Sequence, residues 1–269
     1  HRSSRCMNCH ASQDIGGIPG LLISSVVTGP GGGTIDRFRK DLTGHDIQFN
    51  DRFGGWHITG HNPFTKSWAN HSGIMENGQI KRIENPPGTK FRWDKYITNS
   101  SNLIAHLLLE HQVGFTNRCI EINYKFRELT HNQNLTSENI PLSNFLEKKS
   151  DTLLSYILFK NEAKLPPDTK FGNPTFISDF ERKHDAPAFS NGLRKLNLKT
   201  RLLENRCSYM IFSNSFLGLP GQFKKVLLRK LKFILEKKEG TNLFSYLSNS
   251  ERKNILHILS QSIYGFSNI

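Results

Sequence analysis

The densest chemistry in this chain stands near its start, in Cys6-Met7-Asn8-Cys9-His10. Two thiols three positions apart, with an imidazole directly after the second, can do one of three things. Both sulfurs can add to the vinyl groups of a porphyrin. Two intervening residues then give the right separation on one turn, and the next histidine lies under the iron. The pair can instead be a redox dithiol, which normally follows a strand and opens a helix within a βαβ unit. It can also be half of a structural zinc site, which needs four ligands. No βαβ pattern surrounds Cys6 and no second Cys-x-x-Cys follows. With 4 Cys and 11 His in 269 residues, chance produces this grouping roughly 0.002 times per chain, so an accident is the weakest reading. One covalent haem c is therefore expected. Cys6 and Cys9 are the attachment points and His10 is the proximal iron ligand.

Histidine and methionine are the usual sixth ligands of such an iron. Met7 is sterically excluded by its place inside the attachment turn. The candidates are His71, His111 and His61, in that order, with Met75 after them, and His57 lies in the same irregular half of the chain. Taken singly, each reads as a hydrogen-bonded structural histidine or a packed methionine. Taken together they favour a ligand supplied by the protein over an open position. An open position would allow peroxide or gas chemistry.

The elements that must position these residues fall into two parts, 1–95 and 96–269. The first is rich in Gly, Pro, Asn, His and aromatic residues. Its segment GLLISSVVTGPGGGTIDRF predicts a strand, a Gly/Pro turn and a returning strand, a short β-hairpin. The remainder reads as loop, with turn signals at GGW, HNP, ENG and NPPG. A stretch this long with little regular pattern usually wraps something or is held by something, and a covalent cofactor would serve. From about Ser100 the pattern becomes helical. Ile104, Leu108, Phe115, Cys119, Ile122, Phe126 and Leu129 recur near a 3.6-residue period, with His111 on the same stripe. Further helices are expected near 142–162, 199–214, 220–238 and 249–263, with LPPDTKFGNP as a break. The expected fold is mainly α: a loop-rich haem c region followed by a helical region packing on it.

Composition narrows the partners. Net charge is +13 at a pI near 9.7, and mean hydropathy is −0.48. Acidic redox proteins, anionic lipid and nucleic acid are the classes a basic chain attracts. In PGQFKKVLLRKLKFILEKKEG, Phe223, Leu227, Leu231 and Ile234 form an apolar stripe, with Lys225, Arg229 and Lys232 towards another face. Nucleic acid is set aside, because no zinc-finger spacing, RNP-like strand or helix-turn-helix pattern accompanies the charge. A serine hydrolase is set aside for want of a G-x-S-x-G elbow. No apolar run of about 18 residues exists, so no transmembrane segment is expected, and contact with a membrane surface would be peripheral. The chain opens on His1 with neither an initiator Met nor a signal-like apolar run, which is compatible with a signal peptide already removed. Cys119 and Cys207 stand alone. They are either one disulfide or two buried thiols.

CMNCHASQDIGGIPG, RFGGWHITGHNPFTKSWANHSG and LLLEHQ, together with LRKLNLKTRLLENRCSYMIFSNSFLGLP and YLSNSERKNILHIL, carry a resemblance. From about Cys6 to Ile263 the chain resembles an uncharacterised family of exported bacterial c-type cytochromes, with one haem motif and a helical C-terminal region. Cys6, Cys9 and His10 match the family's attachment motif. Gly54, Gly55 and Trp56 match a tryptophan-containing turn that the family follows with tyrosine, where this chain has His57. His61 and His71 fall near two family histidines, and a glycine follows His71 at the family's spacing. The family often has Met directly after that second histidine, where this chain has Ser72. His111 and Cys207 also match. The resemblance implies a haem protein of the cell envelope, periplasmic or otherwise exported, and names no substrate.

The expected function is one-electron transfer by a single haem c in the cell envelope. The expected partner is a redox protein with an acidic docking face, and the chain can be a subunit of a larger assembly. The alternatives are a peroxidase-like haem enzyme with a displaceable sixth ligand, and an interaction subunit that uses haem as a staple.

Overall fold

The computed structural model describes residues 3–12, 15–38, 44–59, 62–98, 101, 103–131, 140–167, 173–182, 192–237 and 242–268. The chain is mainly α with two small antiparallel sheets. It forms two compact units: His1–Gly114 with Glu162–Pro174, and Phe115–Asn161 with Thr175–Ile269. Among the described residues no helix is long and apolar enough to cross a membrane.

The first unit begins with α1 (Ser4–His10) and continues through β1 (Val26–Thr28) and β2 (Thr34–Arg37). These strands are the expected hairpin. Gly29 donates to the Gly33 carbonyl at 2.7 Å, and Gly32 takes the left-handed φ of 85° that closes the loop. The sequence reading had loop where a second hairpin stands, β3 (His71–Glu76) and β4 (Gln79–Glu84). Glu76 pairs with Gln79, leaving Asn77 and Gly78 as a two-residue turn with φ of 53° and 76°. Two positive φ values are the mark of a type I′ hairpin turn, the type that matches strand twist. The hairpins meet at Gly73, where a Cβ would lie 2.5 Å from Val27 Cγ1 and 2.8 Å from Ile80 Cγ2.

α2 (Leu103–His131) is the long helix expected from the apolar stripe. Ile104, Leu108, Phe115, Cys119 and Ile122 are buried, as is His111, whereas Phe126 and Leu129 are only partly covered. Leu103–Gly114 belongs to the first unit and the remainder to the second.

The second unit adds α3 (Ile140–Ile157), α4 (Pro174–Glu181), α5 (Asn214–Leu217), α6 (Gly221–Glu236) and α7 (Asn249–Ser262). α3 stops short of the expected 162 for a local reason. Phe159 adopts φ 56°, Lys160 donates to the Ser155 carbonyl and Phe159 to that of Tyr156. This is a Schellman ending, with phenylalanine where glycine is usual. On α6, Phe223, Leu227, Leu231 and Ile234 are all buried, as the stripe predicts. Its basic face is partly spent within the fold: Lys230 bridges Glu147 at 2.6 Å and Asp151 at 2.7 Å on α3. Lys225 and Arg229 remain exposed.

The helix expected over 199–214 does not form. Asn197 Oδ1 accepts from the amides of Lys199 and Thr200, both at 3.1 Å, and Leu198 N donates to the Arg201 carbonyl. The chain reverses there and Leu196 bridges Leu203. An asparagine side chain that takes the next amides offers the backbone an alternative to helix. Only Tyr209–Phe212, a 3-10 turn, and the short α5 are helical.

Arg252 on α7 is 1% exposed and donates to the carbonyls of Leu247, Ile234 and Phe244. Each of those carbonyls loses a charged donor if the side chain goes, and a buried acceptor without one costs about 1–3 kcal/mol. Arg252→Met is expected to lower the free energy of unfolding by at least about 3 kcal/mol, read as a lower urea midpoint at unchanged slope.

Candidate functional site

The Cys-x-x-Cys-His run forms α1. Cys6 N and Met7 N both reach the Ser3 carbonyl at 3.1 Å, and Ala11 N closes the turn on Met7 O at 2.9 Å. On an α-helix, positions three and four apart share a face. Positions 9 and 10 are thus placed on the face of Cys6. The Cys6 thiol is exposed and carries no disulfide. As a donor set for haem c, two cysteines and a histidine within one helical turn have the residue types and the spacing that attachment needs.

The candidates for the sixth ligand lie in different surroundings. His61 lies outside the described residues. Met75 sits on β3 at 59% exposure. His111 is wholly buried, with Nδ1 2.8 Å from Nδ1 of buried His45. One of those nitrogens donates and the other accepts, so the pair cannot hold protons on both. Beside it Arg52 Nε lies 3.5 Å from Glu110 Oε2, and Arg52 Nη2 donates to the Gly44 carbonyl at 3.2 Å. His71, at the start of β3, is half-buried. Its Nδ1 is 2.5 Å from the Ala69 carbonyl and 3.0 Å from Arg82 Nη2. A ring nitrogen held by a carbonyl leaves the other one as the metal-binding side. Among the described residues no three or more His, Cys, Asp or Glu side chains come together as a metal cluster.

The turn Phe53-Gly54-Gly55-Trp56 builds a feature that the sequence did not reveal. Gly54 passes so close to β1 that a Cβ there would lie 2.6 Å from the Val26 carbonyl oxygen, and Gly55 takes φ 84°. Phe53, buried, holds φ 64°, a strained conformation for an aromatic residue. The turn delivers Trp56 and His57 to an apolar cavity of about 340 Å³ walled by Phe53, Ile58, Leu103, His106 and Leu109. His106 is edge-on to Trp56 and tilted against Phe53. His57 also lines a groove of about 540 Å³ together with Phe91, Trp93, Lys95, Tyr96 and Ile97. Tyr96 and Ile97 are largely exposed. The two hollows share His57 and Ser101.

Neither Cys119 nor Cys207 is in a disulfide, and both are buried. Burial pushes the Cys119 thiol up to about 12 against a small opposing pull from Arg118, and burial with the nearby Glu251 raises Cys207 as well. Raised values keep both thiols protonated and unreactive at neutral pH. In the native protein a thiol reagent at pH 8 is expected to spare Cys119 and Cys207 and to label both after denaturation. Peptide mass mapping reads the result.

Compared with known proteins, the chain matches no protein-family model, no curated protein and no solved structure.

Proposed function

We propose that this chain is a c-type cytochrome of the bacterial cell envelope, carrying one covalent haem and passing single electrons. The observation that carries the reading is α1, a helical turn that holds Cys6, Cys9 and His10 at the spacing haem c attachment needs. The Cys6 and Cys9 thiols would each add across one vinyl group. An S–C bond would form at each and the thiol proton would pass to the other vinyl carbon, with no leaving group and no net electron transfer. His10 would supply the proximal nitrogen. Once bound, the group supplies the Fe(III)/Fe(II) couple, and the protein tunes its potential through the sixth ligand and through burial.

The chain's own contribution is binding, orientation and docking. Net charge of +13 and the exposed Lys225 and Arg229 suit an acidic redox partner. Attraction of that kind speeds encounter and fades with salt.

The test is made on protein produced in a periplasm competent for haem c maturation. Its alkaline pyridine spectrum is expected to show the c-type α-band, retained after acid-acetone extraction. Cys6→Ala with Cys9→Ala is expected to abolish that retained haem. Extractable haem, or none, in the unmutated protein contradicts the proposal.

A further inference from the structure

We propose that the outer face of α6 docks this protein on an anionic lipid surface, with Phe233 entering the headgroup layer between cations. The proposal goes beyond the cytochrome reading and stands apart from the haem. α6 buries Phe223, Leu227, Leu231, Ile234 and Leu235 in its unit. At about 3.6 residues per turn, Gln222, Lys225, Arg229 and Phe233 fall on the opposite side. All four are exposed. A phenylalanine on that side adds nothing to the core, and Phe233 is 55% exposed.

A single exposed apolar residue is ordinary on any surface. Phe233 is set apart by its neighbours. Arg229 stands one turn before it, Lys225 one turn earlier still, and the exposed Lys237 four residues after it. Lys237 Nζ lies 4.3 Å from the centre of the Phe233 ring, a cation–π contact. The charges on this line are available. Among the described residues neither Lys225 nor Arg229 takes part in a salt bridge, and the nearby carboxylates are matched to other lysines. Glu147 and Asp151 hold Lys230, and Glu236 lies 3.8 Å from Lys232. Exposed Leu217 adds apolar surface beside the start of the helix, where Lys224 Nζ donates to its carbonyl at 2.6 Å.

An acidic protein would answer Lys225 and Arg229 as well as lipid would. Phe233 favours lipid. A cation on each side of an aromatic ring, one helical turn away, calls for anionic and apolar partners in the same place. A lipid surface supplies both, with phosphates at the level of the long Lys and Arg heads and acyl chains below for the ring. Cations near such a surface are attracted within about a Debye length. The core-facing stripe of α6 is already buried, so the helix would lie along the surface without inserting. The acidic redox partner proposed above would draw on the rest of the +13 charge.

The experiment uses the full-length protein, matured as above, and sucrose-loaded vesicles of phosphatidylcholine with and without phosphatidylglycerol. At low salt the protein is expected to sediment with the mixed vesicles and to stay in solution with the neutral ones. Lys225→Gln with Arg229→Gln is expected to lower the partition coefficient by about tenfold or more. Phe233→Ser is expected to lower it severalfold and Phe233→Trp to retain it. These positions face solvent, so the variants are expected to keep the thermal midpoint of the unmutated protein. A nitroxide attached through Phe233→Cys reads insertion directly. On mixed vesicles its collisions with oxygen are expected to rise and those with a water-soluble nickel chelate to fall. Failure of the folded, unmutated protein to sediment with mixed vesicles overturns the proposal. So does sedimentation with the nitroxide still open to nickel, or sedimentation that neither the double variant nor Phe233→Ser weakens. A salt-sensitive complex with an acidic protein that shields the nitroxide, without vesicle binding, gives this face to a protein partner and overturns it too.

Discussion

The loop-rich unit depends on one buried electrostatic arrangement. Arg52 and Glu110 bring opposite charges out of water together, and His45 and His111 share a hydrogen bond beside them. Charged groups are tolerated in such a place only when paired and hydrogen-bonded, because desolvation costs several kcal/mol per ion (about that order even after relaxation). The arrangement joins residues 44–52, which have little regular structure, to the first turns of α2. Ala163 N donates to the His45 carbonyl at 3.0 Å and brings residues 162–174 into the same unit. Segments with few apolar contacts of their own thereby gain a fixed anchor.

What that anchor fixes is the turn that follows. Arg52 precedes Phe53, Gly54, Gly55, Trp56 and His57 directly in the chain. Glu110 and His111 follow Leu103, His106 and Leu109 on the same helix. Holding Arg52 against Glu110 therefore sets the two walls of the apolar cavity at a fixed separation. Gly54 permits the close approach to β1, and the Asn70 amide locks the strand that leaves the turn. The positive φ at Phe53 is sustained by this surrounding structure, as backbone strain generally must be. Loop and helix together thus hold His57 where the two hollows meet.

Some of this is legible in the sequence. The Cys-x-x-Cys-His motif is readable because it is local, with three residues on one turn. The stripes on α2 and α6 are readable because each helix buries one continuous face. The β3–β4 hairpin hides because only Ser72 and Gly73 on β3 are buried, so alternation is nearly absent and Asn77-Gly78 is the sole strong signal. Residues 199–214 mislead in the opposite way. Leu202, Leu203, Cys207, Tyr209 and Ile211 are buried as apolar residues should be, yet Asn197 turns the chain and the burial is met without a helix. The cleft at His57 is assembled from residues 53–58, 91–98 and 101–109. No single window of sequence contains it, so His57 looks like one of several histidines until the fold sets it between two hollows.

The central claim is that this chain carries haem bound to it by covalent bonds. Intact mass spectrometry under denaturing acid, on protein matured in a bacterial periplasm, tests it most directly. The account predicts the mass of the polypeptide plus one haem, with the added mass mapping to the peptide that contains Cys6 and Cys9. The mass of the bare polypeptide, from protein that is otherwise folded, would contradict it.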